Sequence, residues 1–90
     1  MEMNMKAWCF GIGIVDATKF SEPLMKARGF IGVADYPRDK YTCACIFETE
    51  NDAKIARNLL EYDGAAVSRN VIECHVNEEE IKAIKEKNKR

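Results

Sequence analysis

The sequence has almost no net charge, only one histidine and no long apolar run, and each of these absences argues against a class of protein. Its 90 residues include one histidine, and 14 basic residues nearly balance 15 acidic ones, which leaves a net charge of −1. Such a balance argues against a nucleic-acid binder that works by bulk electrostatics. No apolar run approaches the ~20 residues of a membrane-spanning helix, and a hydrophobic content of 47% is too high for a disordered chain. We therefore expect one soluble globular domain over residues 1–90.

The amino terminus has no basic region followed by an apolar core and a small-residue cleavage site, so we expect no secretory signal and a cytoplasmic location. The four cysteines, Cys9, Cys43, Cys45 and Cys74, each lie within an apolar, strand-like run. In a reducing compartment, buried free thiols are their expected state.

Hydrophobic periodicity predicts the order of elements. Residues 6–15 alternate large and small apolar side chains, which predicts a strand whose large residues face the core: Trp8, Phe10, Ile12 and Ile14. A short helix should start at Ser21 and stop at Gly29. Strands over residues 30–36 and 41–48 should flank a turn at residues 37–40.

The second half of the chain contains the clearest helix signal. Thr49 lies three residues ahead of Asp52, as in a capping box, and Gly64 marks the expected end. One side of this helix should be apolar and packed: Ile55, Ala56, Leu59, Leu60 and Tyr62. A last strand should cover residues 71–76, and acidic residues followed by basic ones predict a C-terminal helix over residues 78–90.

This order predicts the fold class. Strand, helix, strand, strand, helix, strand is the split β-α-β order of ferredoxin-like folds. We expect an α+β, ferredoxin-like βαββαβ domain with its core over about residues 5–77. Its four-stranded antiparallel sheet should have the first and third strands at the centre and two helices on one face, with the C-terminal helix in addition.

The stretch from residue 41 to residue 76 resembles an RNA-recognition-motif domain. Ile46-Phe47-Glu48, the helix start Asp52-Ala53-Lys54 and the Asp63-Gly64 turn follow that family's rhythm. The resemblance implies a ferredoxin-like fold and base stacking on two aromatic rings of the third strand. Thr42 and Ala44 occupy the two stacking positions, so the usual source of RNA affinity is missing.

The predicted open face of the sheet is small, partly apolar and not basic. It should comprise seven residues: Cys9, Gly11, Thr42, Ala44, Ile46, Glu73 and His75. Such a face needs a cover. The C-terminal helix, with Ile81 and Ile84, could cover it. The other candidates are a partner protein and a second copy of the chain, which would form a homodimer.

Chemistry-bearing residues are sparse. Cys43-x-Cys45 with Cys74-His75 has no metal-site spacing, so we expect neither metal nor cofactor. The sequence has one histidine and no Ser or Cys placed at a known spacing from it, so we expect no nucleophilic catalysis. Asp16, with Asp35 or Asp39, is the candidate for a magnesium-dependent nuclease.

The leading functional prediction is a non-catalytic intracellular protein that binds another protein. Compact single-domain chains without catalytic groups are typical of accessory regulators and of phage-encoded inhibitors such as anti-CRISPR proteins. The predicted contact residues lie on the sheet face, the hairpin and the terminal helix: Thr42, Ala44, Ile46, His75, Arg38, Lys40, Ile81 and Ile84. The alternatives are the Asp16 nuclease and an atypical RNA-binding module using Lys40, Tyr41, Arg69, Lys82 and Lys85. A role at a membrane is not expected.

Overall fold

The structure is a computed structural model that describes residues 4–38 and 41–87; side chains are not described at residues 4, 36–38, 84, 85 and 87. The described elements are β1 (Asn4–Ile12), α1 (Ile14–Lys19), α2 (Ser21–Lys26), β2 (Phe30–Arg38), β3 (Tyr41–Phe47), α3 (Glu50–Tyr62), β4 (Ile72–Asn77) and α4 (Glu78–Lys87). None of these helices is long and apolar enough to cross a membrane.

The strands form one four-stranded antiparallel sheet in the order β2-β3-β1-β4. The prediction of an α+β domain with a four-stranded antiparallel sheet is therefore confirmed. Alternation along β1 divides the side chains between two cores. Phe10 and Ile12 face α1, α2 and α3, while Ala7 and Cys9 face the opposite side.

The core beneath α1, α2 and α3 is built around aromatic rings. The Phe10 and Phe47 rings stack with centroids 5.9 Å apart, and Phe30 lies tilted against Phe47 at 5.4 Å. Cys43 and Cys45 face the same core, as the alternation of β3 predicts. This layer holds the sheet and the three helices together through apolar burial.

The first strand ends earlier than predicted, and a helix that was not predicted, α1, precedes α2, which begins at Ser21 as predicted. β1 stops at Ile12, and Ile14 begins α1 with an exposed side chain instead of extending the strand into the core. The chain leaves the sheet where the Thr42 hydroxyl accepts a hydrogen bond from the Ile14 backbone N–H at 3.1 Å. Because that side chain replaces a backbone acceptor, the strand pairing ends there.

α3 begins and ends as predicted but is rotated differently. The Thr49 hydroxyl accepts a hydrogen bond from the Asp52 N–H at 3.1 Å, and Gly64 has φ +100° just beyond the helix. The buried face consists of Ala53, Ala56 and Leu60. Two alanines let the helix approach the sheet closely. Three of the residues expected to pack, Ile55, Leu59 and Tyr62, are exposed instead.

α4 covers the second face of the sheet. The Asn77 side chain accepts a hydrogen bond from the Glu80 N–H at 2.7 Å, so the helix starts directly after β4. From that edge it crosses to contact β2 at the other edge. Ile81 packs against the core of this face, formed by Ala7, Cys9, Ile31, Ala44, Ile46 and Val76. The self-covered arrangement is the one observed.

Candidate functional site

Two of the sheet residues predicted to contact a partner belong to the protein's own interior. Ala44 and Ile46 are buried in the core beneath α4, which corrects their assignment to an open face. Thr42 is exposed, but its hydroxyl binds the Ile14 backbone. Ile81 packs inward on the same core, and the side chain of Ile84 lies outside the described residues. The sheet therefore offers no open apolar face along β3.

His75 and Glu73 lie on the face opposite to the one predicted. β4 pairs with β1 so that Glu73 is opposite Trp8 and His75 is opposite Lys6, on the side of α3. The exposed Glu73 carboxylate lies 3.8 Å from the Lys6 ammonium and 3.6 Å from His75 Nε2. A one-residue difference in strand register changes which face a side chain occupies, and the sequence pattern of β4 did not reveal it.

The residues proposed for RNA binding do not form an aromatic platform within the described part of the chain. The Tyr41 ring lies against Gly11, where an added Cβ would be 2.9 Å from Cγ, and its hydroxyl donates to the Val67 carbonyl at 3.1 Å. Arg69 and Lys82 are exposed on different elements, before β4 and on α4. Lys40 and the side chains of Arg38 and Lys85 lie outside the described residues.

Asp16 has a structural partner. One of its carboxylate oxygens accepts a hydrogen bond from the Ala66 backbone N–H at 3.0 Å, which ties α1 to the segment between α3 and β4. Asp35 lies on β2, and Asp39 is outside the described residues. No group of three His, Cys, Asp or Glu side chains in residues 4–38 and 41–87 is placed to hold a metal ion.

All four cysteines are free thiols, and they form two separate pairs. Cys43 and Cys45 are buried beside each other on β3, and burial raises the pKa of the Cys45 thiol to about 12. Cys9 and Cys74 lie on the other face of the sheet, beneath α4. Their mutual interaction, together with burial, raises the pKa of Cys9, and the same interaction lowers the pKa of Cys74.

One exposed apolar surface among the described residues is a row of three side chains on α3, here called the α3 stripe. It consists of Ile55, Leu59 and Tyr62, whose exposed fractions are 51%, 60% and 89%. Spacings of four and three residues place them on one side of the helix. Leu60, between two of them in sequence, is 5% exposed and packs on the sheet.

Arg57 links α3, on a side away from the stripe, to the segment that leads into β4. Its side chain is only 11% exposed, and its Nε donates to the Ser68 carbonyl at 2.7 Å. Its two terminal nitrogens donate to the two Glu61 carboxylate oxygens at 3.2 and 2.9 Å. The arginine thereby ties one side of the helix to the chain leading into β4. The sequence signal for the stripe was present but misread, because α3 has more apolar positions than one packed face needs.

A second apolar surface is an open groove between α1, α2 and β2 with a volume of about 880 Å³. Leu24, Phe30 and Val33 form its inner wall, and the half-exposed side chains of Ile14 and Met25 lie at its mouth. The α3 stripe and this groove both involve the helices packed on one face of the sheet. Comparison with protein-family models, curated proteins and solved structures finds no match to the chain.

Proposed function

We propose that this chain is a non-catalytic binding module of ferredoxin-like architecture that recognises another protein through the α3 stripe. The strand order β2-β3-β1-β4, with helical connections after β1 and β3, supports the architecture. The observation that carries the function is the exposure of Ile55, Leu59 and Tyr62 on a helix whose opposite face already packs on the sheet. Contiguous exposed apolar side chains of this kind mark interaction sites.

The charges on α3 favour a partner with an apolar contact surface. Lys54 pairs with Glu50 at 3.5 Å, and Arg57 pairs with Glu61 at 2.9 Å, so these four charges are satisfied within the helix. Little unpaired positive charge is left beside the stripe to attract a phosphate backbone. An apolar partner helix or strand matches this surface better than a nucleic acid does.

The alternatives have less support. The RNA-binding hypothesis needs stacked rings, and the Tyr41 ring is engaged with Gly11 and Val67. The nuclease hypothesis needs a second carboxylate close to Asp16. The Asp16 carboxylate instead accepts a hydrogen bond from the Ala66 backbone N–H. A role as an accessory regulator or phage-encoded inhibitor remains a narrower prediction of the same binding activity.

Site-specific photo-crosslinking in the native cells tests the proposal. A photoreactive amino acid at position 59 should capture a defined protein, whereas the same group at position 54, on the charged side of α3, should capture it far less. The purified partner should then bind the intact chain and lose most of its affinity for the double variant Leu59→Glu with Tyr62→Glu. Lys54→Glu is the matched control, because it shifts the net charge by the same −2 without altering the stripe.

The outcomes separate the classes of partner. A partner lost only with the stripe variant supports the proposal, and a homodimer lost in the same way identifies the partner as a second copy of the chain. If both variants weaken binding of mixed single-stranded RNA equally, with strong salt dependence, the contact is electrostatic and the proposal fails. Equal crosslinking from positions 54 and 59 also contradicts it.

A further inference from the structure

Cys9 and Cys74 are brought together by the pairing of β1 with β4. In the register of these strands, Cys9 is opposite Ile72 and Ala7 is opposite Cys74, so the two cysteines are diagonal neighbours on one face. Both sulfurs belong to the core beneath α4. Sequence alone gave no reason to pair residues 65 positions apart, because it did not reveal the register of β4.

The two thiols differ in accessibility and in reactivity. Cys9 is 4% exposed, whereas Cys74 is only partly buried on the edge strand. The interaction with Cys9 lowers the pKa of Cys74, while burial and the carboxylates of Glu73 and Glu80 oppose that change. The more accessible sulfur is therefore also the one with the greater thiolate character.

We propose that Cys9 and Cys74 form a reversible redox site, at which a low-molecular-weight disulfide such as oxidised glutathione converts two thiols into one intramolecular disulfide. The site is independent of the α3 stripe, since it lies on the other face of the sheet.

The reaction proceeds in two exchanges. The Cys74 sulfur attacks one sulfur of the reagent, forms a mixed disulfide and releases the first small thiol. Cys9 then attacks the Cys74 sulfur, and its proton passes to the departing sulfur, which leaves as the second small thiol. Two protein thiols are oxidised and one reagent disulfide is reduced to two thiols, so atoms and electrons balance.

The diagonal placement favours a reversible bond over a permanent one. Diagonal neighbours on paired strands lie farther apart than directly opposite residues, and a disulfide requires its two Cα atoms to be close. Closing the bond must therefore shift β4 along β1, beneath α4. A bond made against such resistance is more easily reduced than an unstrained one.

Cys43 and Cys45 provide an internal control. They follow each other on the same face of one strand, both are buried, and the raised pKa of Cys45 keeps its thiol protonated. They should not react with the reagent while the protein is folded.

The test uses the folded full-length chain, incubated with oxidised glutathione and then analysed by mass spectrometry and peptide mapping. The expected product is a monomer lighter by two hydrogen atoms, with a single bond between Cys9 and Cys74 that dithiothreitol reverses. The double variant Cys43→Ala with Cys45→Ala should behave in the same way. Cys9→Ala should stop at a glutathione adduct on Cys74, and Cys74→Ala should remain unmodified.

Different products would overturn the proposal. They are an unchanged chain under conditions that oxidise a model dithiol, a bond that includes Cys43 or Cys45, or a disulfide-linked dimer. Because the two single variants predict different masses, loss of folding in one of them leaves the other informative. Circular dichroism before oxidation identifies any variant that does not fold.

Discussion

Leu59 and Leu60 are adjacent leucines on α3 whose expected contributions to the free energy of unfolding differ in size. Leu60 is 5% exposed within the core beneath the helices, while Leu59 is 60% exposed on the α3 stripe. Replacing each with alanine removes the same atoms from the same helix, so differences in helix propensity largely cancel. Any difference in the free energy of unfolding must therefore come from packing.

The structure sets the size of that difference. Truncating a buried leucine costs about 2–5 kcal/mol, because burial is lost and a cavity remains. Fully burying a leucine side chain is worth about 1.5–3 kcal/mol, and less than half of Leu59 is buried, so Leu59→Ala should cost about 1 kcal/mol or less. The two variants should differ by at least about 1 kcal/mol, with Leu60→Ala the less stable.

Urea unfolding measures this difference directly. Trp8 is the only tryptophan and packs against the same core as Leu60, so its fluorescence reports global unfolding. With a slope of roughly 1 kcal/mol per molar urea, the Leu60→Ala midpoint should lie at least about 1 M below that of Leu59→Ala. Equal midpoints, or a larger loss for Leu59→Ala, would show that α3 packs through the other face. The α3 stripe would then be part of the core and the proposed binding surface would not exist.

Four further substitutions test individual contacts by thermal or urea unfolding. Gly11→Ala places a Cβ 2.9 Å from Tyr41 Cγ and should lower the free energy of unfolding by about 1–3 kcal/mol through overpacking. In a Tyr41→Ala background the same substitution should lower it much less. An equal loss in both backgrounds would show that the Tyr41 ring is not the source of the clash. Thr49→Ala removes the cap of α3 and should cost about 1 kcal/mol, whereas Thr49→Ser should be nearly neutral. Ile81→Ala should cost roughly 1–2 kcal/mol and increase binding of an apolar dye, and no increase would mean that α4 does not cover the sheet. Asp16→Ala removes the carboxylate that accepts from the Ala66 N–H and should lower the free energy of unfolding by about 1 kcal/mol. Asp16→Asn keeps a side-chain oxygen and should lower it less. Magnesium-dependent cleavage of nucleic acid that Asp16→Asn abolishes would instead favour the nuclease hypothesis.

Much of the fold could be predicted from local patterns. The alternation in β1 and β3 correctly assigned Phe10, Cys45 and Phe47 to one core, because the side-chain period of a strand is two residues. Thr49 and Gly64 correctly marked the ends of α3, since capping depends on a few neighbouring residues. Ile14 shows where such patterns stop: its place in the alternation predicted a strand, but the hydrogen bond to Thr42 ended the pairing.

The candidate sites were predicted less well, because they depend on contacts between distant segments. Ala44 and Ile46 were assigned to an exposed surface, and α4 buries both. Tyr41 was a candidate for contacting RNA, and its ring instead fills the space above Gly11. Neither outcome could be read from a local pattern, since each requires knowing which element lies against the strand.

Apart from α1, the sequence by itself determined the elements, their order and which residues of a strand share a face. These properties follow from period-two and helical patterns and from caps, all of which act over a few residues. Only the tertiary structure decided the face of β4 that His75 occupies and the rotation of α3 that exposes Leu59. It also decided that Cys9 and Cys74 are neighbours on paired strands. A shift of one residue in strand pairing changes the face of every side chain, and a helix apolar on two sides can pack through either. The choice between them is made by the summed packing of the whole domain, which no single segment contains.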